Sequence, residues 1–227
     1  MFPTQVLAGV TVPDTPLITK ALAFAKSQLD PLLYNHVVRS WLFGAYIASQ
    51  TSENINYDAE VHAITAILHD MGWSTNSSLV SPDKRFEVDG ANAARSFLKS
   101  EGSPEEWNEH RLQLAWDAVA LHTTPSIAAE KESEVKICLY GITTDFLGPE
   151  KAPSCPMPKD IWNGILREFP RDGFKEGAKE AICCLCQRKP ETTYDNFTAD
   201  FGVRFVDGYS LEGKRAIDII LAPDDWN

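Results

Sequence analysis

The feature that most constrains the fold of this chain is the recurrence of apolar residues at helical spacing. In the stretch "AEVHAITAIL", Ile64, Ile67 and Leu68 follow the i, i+3, i+4 spacing that lines one face of a helix. Similar stripes recur before and after it, and no two segments show the paired alternation of a strand hairpin. The sequence therefore predicts an all-α, single-domain helical bundle over residues 1–227, with a flexible N-terminal segment over residues 1–14.

Capping residues predict where several of these helices begin. The first helix is expected to start after Asp14 or Thr15, because both residue types cap helix N-termini. A second helix is predicted from about residue 32 to residue 50, and a third from about residue 58 to residue 69. A Ser-x-x-Glu capping box over residues 103–106 predicts the start of a later helix.

The net charge of −11 argues against two classes of binding partner. Nucleic acids and anionic membranes are bound through an excess of Lys and Arg, which this chain lacks, so neither is expected as a partner. A small neutral substrate suits the composition better. The chain shows neither the segments of a secretory signal nor a long apolar run, so a cytoplasmic location is expected. The oligomeric state stays open, and a homo-oligomer is compatible with the sequence.

Four ionisable residues lie at or near the ends of apolar helical segments. Burying such a group costs several kcal/mol unless it is paired or binds a metal. Taken alone, each could be a satisfied structural residue of the core or of an adjoining loop. Together they form a mixed set of nitrogen and oxygen ligands that suits one divalent transition metal. The four residues are His36, His69, Asp70 and Asp145.

The order of these residues resembles the HD superfamily, which comprises all-helical, metal-dependent hydrolases named for the His-Asp dipeptide. The resemblance covers about residues 17–190. It implies a helical bundle of the HD-domain type in which His36, His69, Asp70 and Asp145 hold the metal.

Some members of this superfamily hold two metals through two further histidines between the dipeptide and the last aspartate. His110 and His122 lie in that interval, but the stretch soon after the dipeptide offers only Glu87 and Asp89. One metal is therefore favoured, with zinc as the expected ion and iron as the alternative. Whether Glu87, Asp89 or His110 takes part in the site stays open.

A phosphohydrolase acting on nucleotides is the enzymatic alternative. Mononuclear nucleotidases of the superfamily often carry a glutamate three residues after the HD aspartate, where this chain has Trp73. A phosphate also calls for cations, and the nearby Lys84 and Arg85 are accompanied by acidic residues. A non-catalytic protein that binds a small molecule in the same pocket is the other alternative.

Four stretches resemble the fungal cyanamide hydratase group of the superfamily. That group binds zinc and adds water to the nitrile of cyanamide to give urea. The resemblance implies a metal-dependent hydro-lyase that acts on a small nitrile, with cyanamide as the expected substrate. The stretches are "LHDMGW", "RFEVDGANAAR", "ALHTTPSIA" and "ETTYDNFTADFG".

These interpretations assign roles to the residues near the dipeptide. Asp70 is expected to serve catalysis as a metal ligand, and His122 to deliver a proton to the substrate, since histidine titrates near ~6.5. His122 could instead cap the helix that precedes it. Trp73 and Phe86 are expected to line a small apolar pocket, or to belong to the core, and Asp89 is expected to bind an amino group of the substrate.

Overall fold

The computed structural model describes residues 2–50, 57–152 and 156–223. The chain forms two compact units, of which the larger comprises Met1–Ser81 and Phe86–Phe174. The smaller unit comprises Pro82–Arg85 and Lys175–Asn227. The expectation of one domain over the whole chain stays a prediction.

Helices make up most of both units, which confirms the all-α prediction. Within the described ranges, none of the helices combines the length and the apolar character needed to cross a lipid bilayer. Those of the larger unit are α1 (Pro16–Gln28), α2 (Pro31–Gln50), α3 (Ala59–Leu68), α4 (Phe86–Glu101), α5 (Glu109–Ala120), α6 (Pro125–Ala128), α7 (Ser133–Leu147) and α8 (Lys159–Glu168). The smaller unit contains most of α9 (Phe174–Arg188), together with α10 (Thr198–Phe205) and α11 (Ala216–Ile220).

A two-stranded hairpin precedes the helices, where the sequence analysis expected a flexible segment and no strands. Strand β1 (Thr4–Leu7) pairs antiparallel with β2 (Val10–Pro13). Gly9 lies in the turn at a φ of +84°, a conformation that glycine adopts without steric cost. The hairpin joins the core because the side chains of Val10 and Val12 are buried in it. With four residues in each strand, the alternation is too short to stand out in the sequence.

Helix capping follows the prediction at α1 and departs from it at α5. Thr15 caps α1, since its Oγ1 accepts a hydrogen bond from the amide of Ile18 at 3.3 Å. The predicted capping box over residues 103–106 is wrong, because α5 begins only at Glu109, with Asn108 as its N-cap. The hydroxyl of Ser103 donates instead to Glu105 in the preceding loop.

Helices α2 and α7 pack closely against each other in the larger unit. Gly141 of α7 faces α2 so closely that a Cβ atom there would collide with the carbonyl oxygen of Ser40. A glycine at this position therefore lets the two backbones approach. This close packing brings the N-terminal half of α2, which carries His36, beside the C-terminal end of α7, which carries Asp145.

A buried histidine of α3 lies outside the candidate site. The His62 side chain is 1% exposed, and its Nε2 has no hydrogen-bond partner among the described residues. It faces Gly44, where a Cβ atom would lie 2.5 Å from Nε2, and the ring of Tyr57 at 6.0 Å. Burial lowers the pKa of His62 from 6.5 to about 3, so the folded protein holds this imidazole neutral at neutral pH.

The free energy of unfolding is expected to fall as the pH drops from 6.5 toward about 3. In this window the unfolded chain binds a proton at His62 and the folded protein does not. The stability that the neutral His62 contributes is therefore fully present above pH 6.5. Below that pH the free energy of unfolding falls by up to about 1.4 kcal/mol per pH unit. Urea unfolding of the wild type and of His62→Leu, at pH 7 and pH 5, measures this contribution. An identical pH dependence in the two proteins would show that His62 does not titrate in this window.

Candidate metal centre

The candidate centre lies in the larger unit, where α2 meets the C-terminal end of α3. His36 is a buried residue of α2. His69 directly follows the last residue of α3, and Asp70 directly precedes a 3₁₀ turn over Met71–Trp73. All three side chains are buried. Their burial follows from the apolar stripe of α3, which carries the His-Asp dipeptide into the core.

Three of the four predicted ligands come together there. His69 Nε2 lies 3.3 Å from His36 Nε2 and 3.3 Å from Asp70 Oδ2. His36 Nε2 lies 3.6 Å from the same carboxylate oxygen. Among the described residues, His36, His69 and Asp70 are the group in which one ligand atom from each lies within 4.8 Å of the others.

The Nδ1 atoms of His36 and His69 are both hydrogen-bonded, which leaves the two Nε2 atoms as the ring nitrogens that can bind a cation. His36 Nδ1 lies 2.7 Å from Asp145 Oδ2, and His69 Nδ1 lies 2.8 Å from the carbonyl oxygen of Ala66. Both oxygens are acceptors, so each imidazole donates its Nδ1–H and keeps a lone pair on Nε2. When both imidazoles are neutral, two lone pairs and one carboxylate oxygen face one another. This donor set fits a divalent transition metal.

Asp145, the fourth predicted ligand, contacts His36 at Nδ1, whereas the cluster lies at Nε2. Arg39 binds both of its oxygens, with Nε at 2.9 Å from Oδ1 and Nη2 at 2.7 Å from Oδ2. Arg171 Nε lies 3.3 Å from Oδ1. Burial alone would raise the pKa of Asp145, but hydrogen bonds from His36 and Arg39 outweigh it and lower the pKa to about 2. The structure does not bring Asp145 into the cluster, and its role as a ligand stays a prediction.

Arg39 and Arg171 are residues that the sequence analysis missed. Arg39 could have been found, because a positive charge one helical turn after His36 interrupts an otherwise apolar stretch of α2. Its side chain is fully buried, which requires a partner of opposite charge. Arg171 lies in the loop after α8 and carries no comparable signal.

His122 lies beside the cluster, in the turn after α5. Its Nδ1 donates to the carbonyl oxygen of Val119 at 2.6 Å, and its Nε2 lies 3.7 Å from Asp70 Oδ1. The capping role and a role in the site are therefore compatible, because they use different ring nitrogens. Burial, followed by the charge of His69, lowers the pKa of His122 to about 4. The resting imidazole is neutral, with a lone pair on Nε2 that can accept a proton.

The two predicted aromatic residues of the pocket lie next to Asp70 and His122. The Trp73 indole donates to Asp70 Oδ1 at 3.0 Å, and its ring centroid lies 4.3 Å from that of Phe86. Phe86 lies edge-on to His122 at 5.6 Å. A Cβ atom at Gly72 would collide with the backbone of Phe86, so a glycine in the 3₁₀ turn allows α4 to approach the dipeptide.

The remaining predicted polar residues have other partners. Asp89 accepts hydrogen bonds from the amide of Ser81 at 3.1 Å and from its hydroxyl at 2.8 Å. Glu87 accepts a hydrogen bond from Thr123 at 2.5 Å. His110 is exposed on α5. The contacts of Asp89 anchor the loop before α4, and its predicted role in substrate binding stays a prediction.

A helical unit with a buried His-His-Asp cluster is the architecture of a protein that can hold a divalent metal. Comparison with known families specifies the family. The HD domain profile matches residues 33–147, about half of the chain and the part that carries all four predicted ligands. The chain belongs to the HD-domain family, whose members are typically metal-dependent hydrolases. A search of curated proteins finds no match to this chain.

Proposed function

We propose that the protein adds water to the nitrile of a small uncharged compound, with cyanamide as the expected substrate and urea as the product. Membership of the HD-domain family does not itself specify this substrate. The observation that carries it is the meeting of three separate stretches beside Asp70. Trp73, Phe86 and His122 come from three of the phrases that resemble the cyanamide hydratase group, and their rings contact one another in sequence.

The electrostatics near the cluster favour a neutral substrate over a phosphate. In the described part of the chain, Arg39 and Arg171 both bind Asp145, which in turn contacts His36. A phosphate monoester needs guanidinium, ammonium or backbone donors that are free to bind it. The wall formed by Trp73 and Phe86 offers apolar surface instead. A compact uncharged nitrile suits such an apolar surface.

His36, His69 and Asp70 would hold the metal, proposed to be zinc, with Asp145 as the predicted fourth ligand. When bound, the metal supplies Lewis acidity and lowers the pKa of a coordinated water from 15.7 toward ~7. The Trp73 indole engages Oδ1 of Asp70, which leaves Oδ2 directed toward the two histidines.

His122 provides the proton transfer that the reaction requires. Its Nε2 accepts a proton as water oxygen bonds to the nitrile carbon, and then returns this proton to the nitrile nitrogen. The C≡N bond thereby gains the elements of water, and tautomerisation gives the amide, which is urea when the substrate is cyanamide. Neither an oxidant nor an organic cofactor is consumed. The Nδ1–H bond to Val119 keeps Nε2 facing Asp70 throughout this exchange.

The test is a substrate screen with the purified, zinc-loaded protein. Urea formation from cyanamide is expected, and treatment with a chelator should abolish it. The same preparation is assayed for phosphate release from a panel of nucleotides. Nucleotide dephosphorylation without turnover of any small nitrile would replace the proposal with the phosphohydrolase alternative. A zinc-loaded protein that turns over neither class would support a non-catalytic binding protein.

A further inference from the structure

We propose that Phe146 is a specificity-determining residue, whose half-exposed ring limits the size of the group that a substrate carries into the metal centre. The residue acts beside His36 by steric exclusion and does not bind the metal. This inference rests on the proposed function and deepens it, because it restricts the substrate class to nitriles with a small substituent.

The first observation is the position of Phe146 beside a predicted metal ligand. Its ring centroid lies 5.3 Å from that of His36, with an angle of 68° between the two planes. Phe174 stacks on the same imidazole at 4.7 Å, and the two phenyl rings are 5.0 Å apart. Phe146 and Phe174 thus form an aromatic pair at His36.

A chain of ring contacts connects this pair with the one formed by Trp73 and Phe86. The ring of His36 contacts that of His69 at 5.1 Å, and His69 contacts His122 at 4.9 Å. His122 in turn contacts Phe86 at 5.6 Å. The three imidazoles at the candidate centre therefore have an aromatic pair at each end of this chain of contacts.

Each aromatic pair combines a buried ring with a ring that reaches solvent. Phe174 and Phe86 are both 2% exposed. Phe146 is 46% exposed, although its ring contacts the buried His36. Trp73 is partly buried. The surroundings of the buried ligands therefore reach solvent at Phe146 and at Trp73, and a substrate that approaches beside His36 meets the ring of Phe146.

Phe174 supports the ring of Phe146 from its buried side. The guanidinium carbons of Arg39 and Arg171 lie 5.1 Å and 5.3 Å from the ring centroid of Phe174, distances typical of a cation–π contact. Phe174 therefore packs against two arginines as well as against Phe146. A ring supported in this way can exclude a bulky group, because closely packed surroundings yield little.

The chemistry of the Phe146 side chain favours selection by size. A phenyl ring offers apolar surface and neither donates nor accepts a conventional hydrogen bond, so it does not recognise the polar groups of a substrate. In an apolar site, one methylene group typically changes kcat/KM by about 10- to 200-fold. Cyanamide carries only an amino group on its nitrile carbon, whereas substituted cyanamides would meet the ring.

The experiment compares the zinc-loaded wild type with Phe146→Ala and Phe146→Trp. The kcat/KM is measured for cyanamide, methylcyanamide and diethylcyanamide. Phe146→Ala should raise the kcat/KM of diethylcyanamide relative to that of cyanamide at least about 10-fold. Phe146→Trp should lower the relative value for methylcyanamide. Both variants should keep the zinc content of the wild type.

Leu147→Ala is the matched control, because Leu147 is the last residue of α7 and its side chain is 53% exposed. This variant also removes an exposed apolar side chain from the end of α7, directly after Phe146. It should leave the ratios of kcat/KM unchanged. A Leu147 variant that shifts the ratios as much as Phe146→Ala would assign the effect to the end of the helix and overturn the inference.

A second measurement does not depend on turnover. Acetohydroxamate and pivalohydroxamate bind zinc through the same group and differ in the size of their alkyl substituent. Isothermal titration calorimetry gives the ratio of their dissociation constants for each zinc-loaded protein. Phe146→Ala should shift this ratio toward pivalohydroxamate at least about 10-fold.

Unchanged ratios in Phe146→Ala, or an equal loss of rate on every substrate, would overturn the inference, since a purely structural role predicts no change in selectivity. Binding of neither hydroxamate by this variant would overturn it as well. A wild type that takes up no zinc refutes the centre and this inference together. A zinc-loaded wild type that turns over no nitrile refutes the proposed function, and the hydroxamate ratio then decides the role of Phe146.

Discussion

Asp70→Ala is expected to lose both the bound metal and the activity. The substitution removes the only anionic ligand atom among the three that face one another, and leaves two neutral imidazoles. Structural zinc in zinc-finger peptides contributes about 10–16 kcal/mol, so the loss of one ligand is expected to weaken binding by at least about 10²-fold. Elemental analysis after gel filtration, together with turnover of the substrate identified in the screen, measures both losses.

The control for this variant is Asp117→Ala, which removes a carboxylate of α5 bound to Lys131 at 3.0 Å. Its metal content should match that of the wild type. If Asp70→Ala keeps its metal, another group completes the site. The metal would then be held by the two histidines together with the predicted ligand Asp145.

His122→Ala is expected to keep its metal and lose most of its activity. The Nε2 of His122 lies 3.7 Å from Asp70 and belongs to no group of ligand atoms found among the described residues. Loss of a positioned general acid or base typically lowers turnover by roughly 10²- to 10⁴-fold. Metal content and turnover are measured on the same sample. The substitution also removes the hydrogen bond to the carbonyl oxygen of Val119. Circular dichroism checks that the variant keeps the helical content of the wild type.

His110→Ala is the matched control, because His110 is an exposed histidine of the neighbouring helix α5. This variant should keep both metal and rate. A His122 variant without metal would show that His122 is a ligand. Full activity would show that His122 only caps α5.

The sequence alone predicted the helical architecture and the family. The helical spacing of apolar residues is a local property that can be read along the chain. Each apolar stripe must be buried against another element, so several such stripes predict a helical bundle. The His-Asp dipeptide is also local, since its two residues are adjacent at the end of α3. Family membership is confirmed over residues 33–147. The resemblance to the cyanamide hydratase group stays a prediction, because substrate choice depends on a few side chains and not on the fold.

Several features could be seen only in the tertiary structure. The hairpin forms because Val10 and Val12 are buried by helices distant in sequence. The start of α5 is set by Asn108, whose side chain accepts a hydrogen bond from Arg111, and not by the earlier Ser-x-x-Glu pattern. The Ser-x-x-Glu pattern and Asn108 both satisfy the local rules for a helix start, so tertiary packing decides which of them is used.

The partners of Asp145 are the clearest case of this dependence. Sequence order placed it after the dipeptide and made it a plausible ligand, but order does not specify which side of His36 it reaches. The close approach of α2 and α7 at Gly141 brings Asp145 to Nδ1 of His36 and within reach of Arg39. Ligand type and spacing are thus properties of the sequence. The contacts of Asp145 with His36 and Arg39 depend on distances of about 3 Å between side chains more than 100 residues apart, which only packing can set.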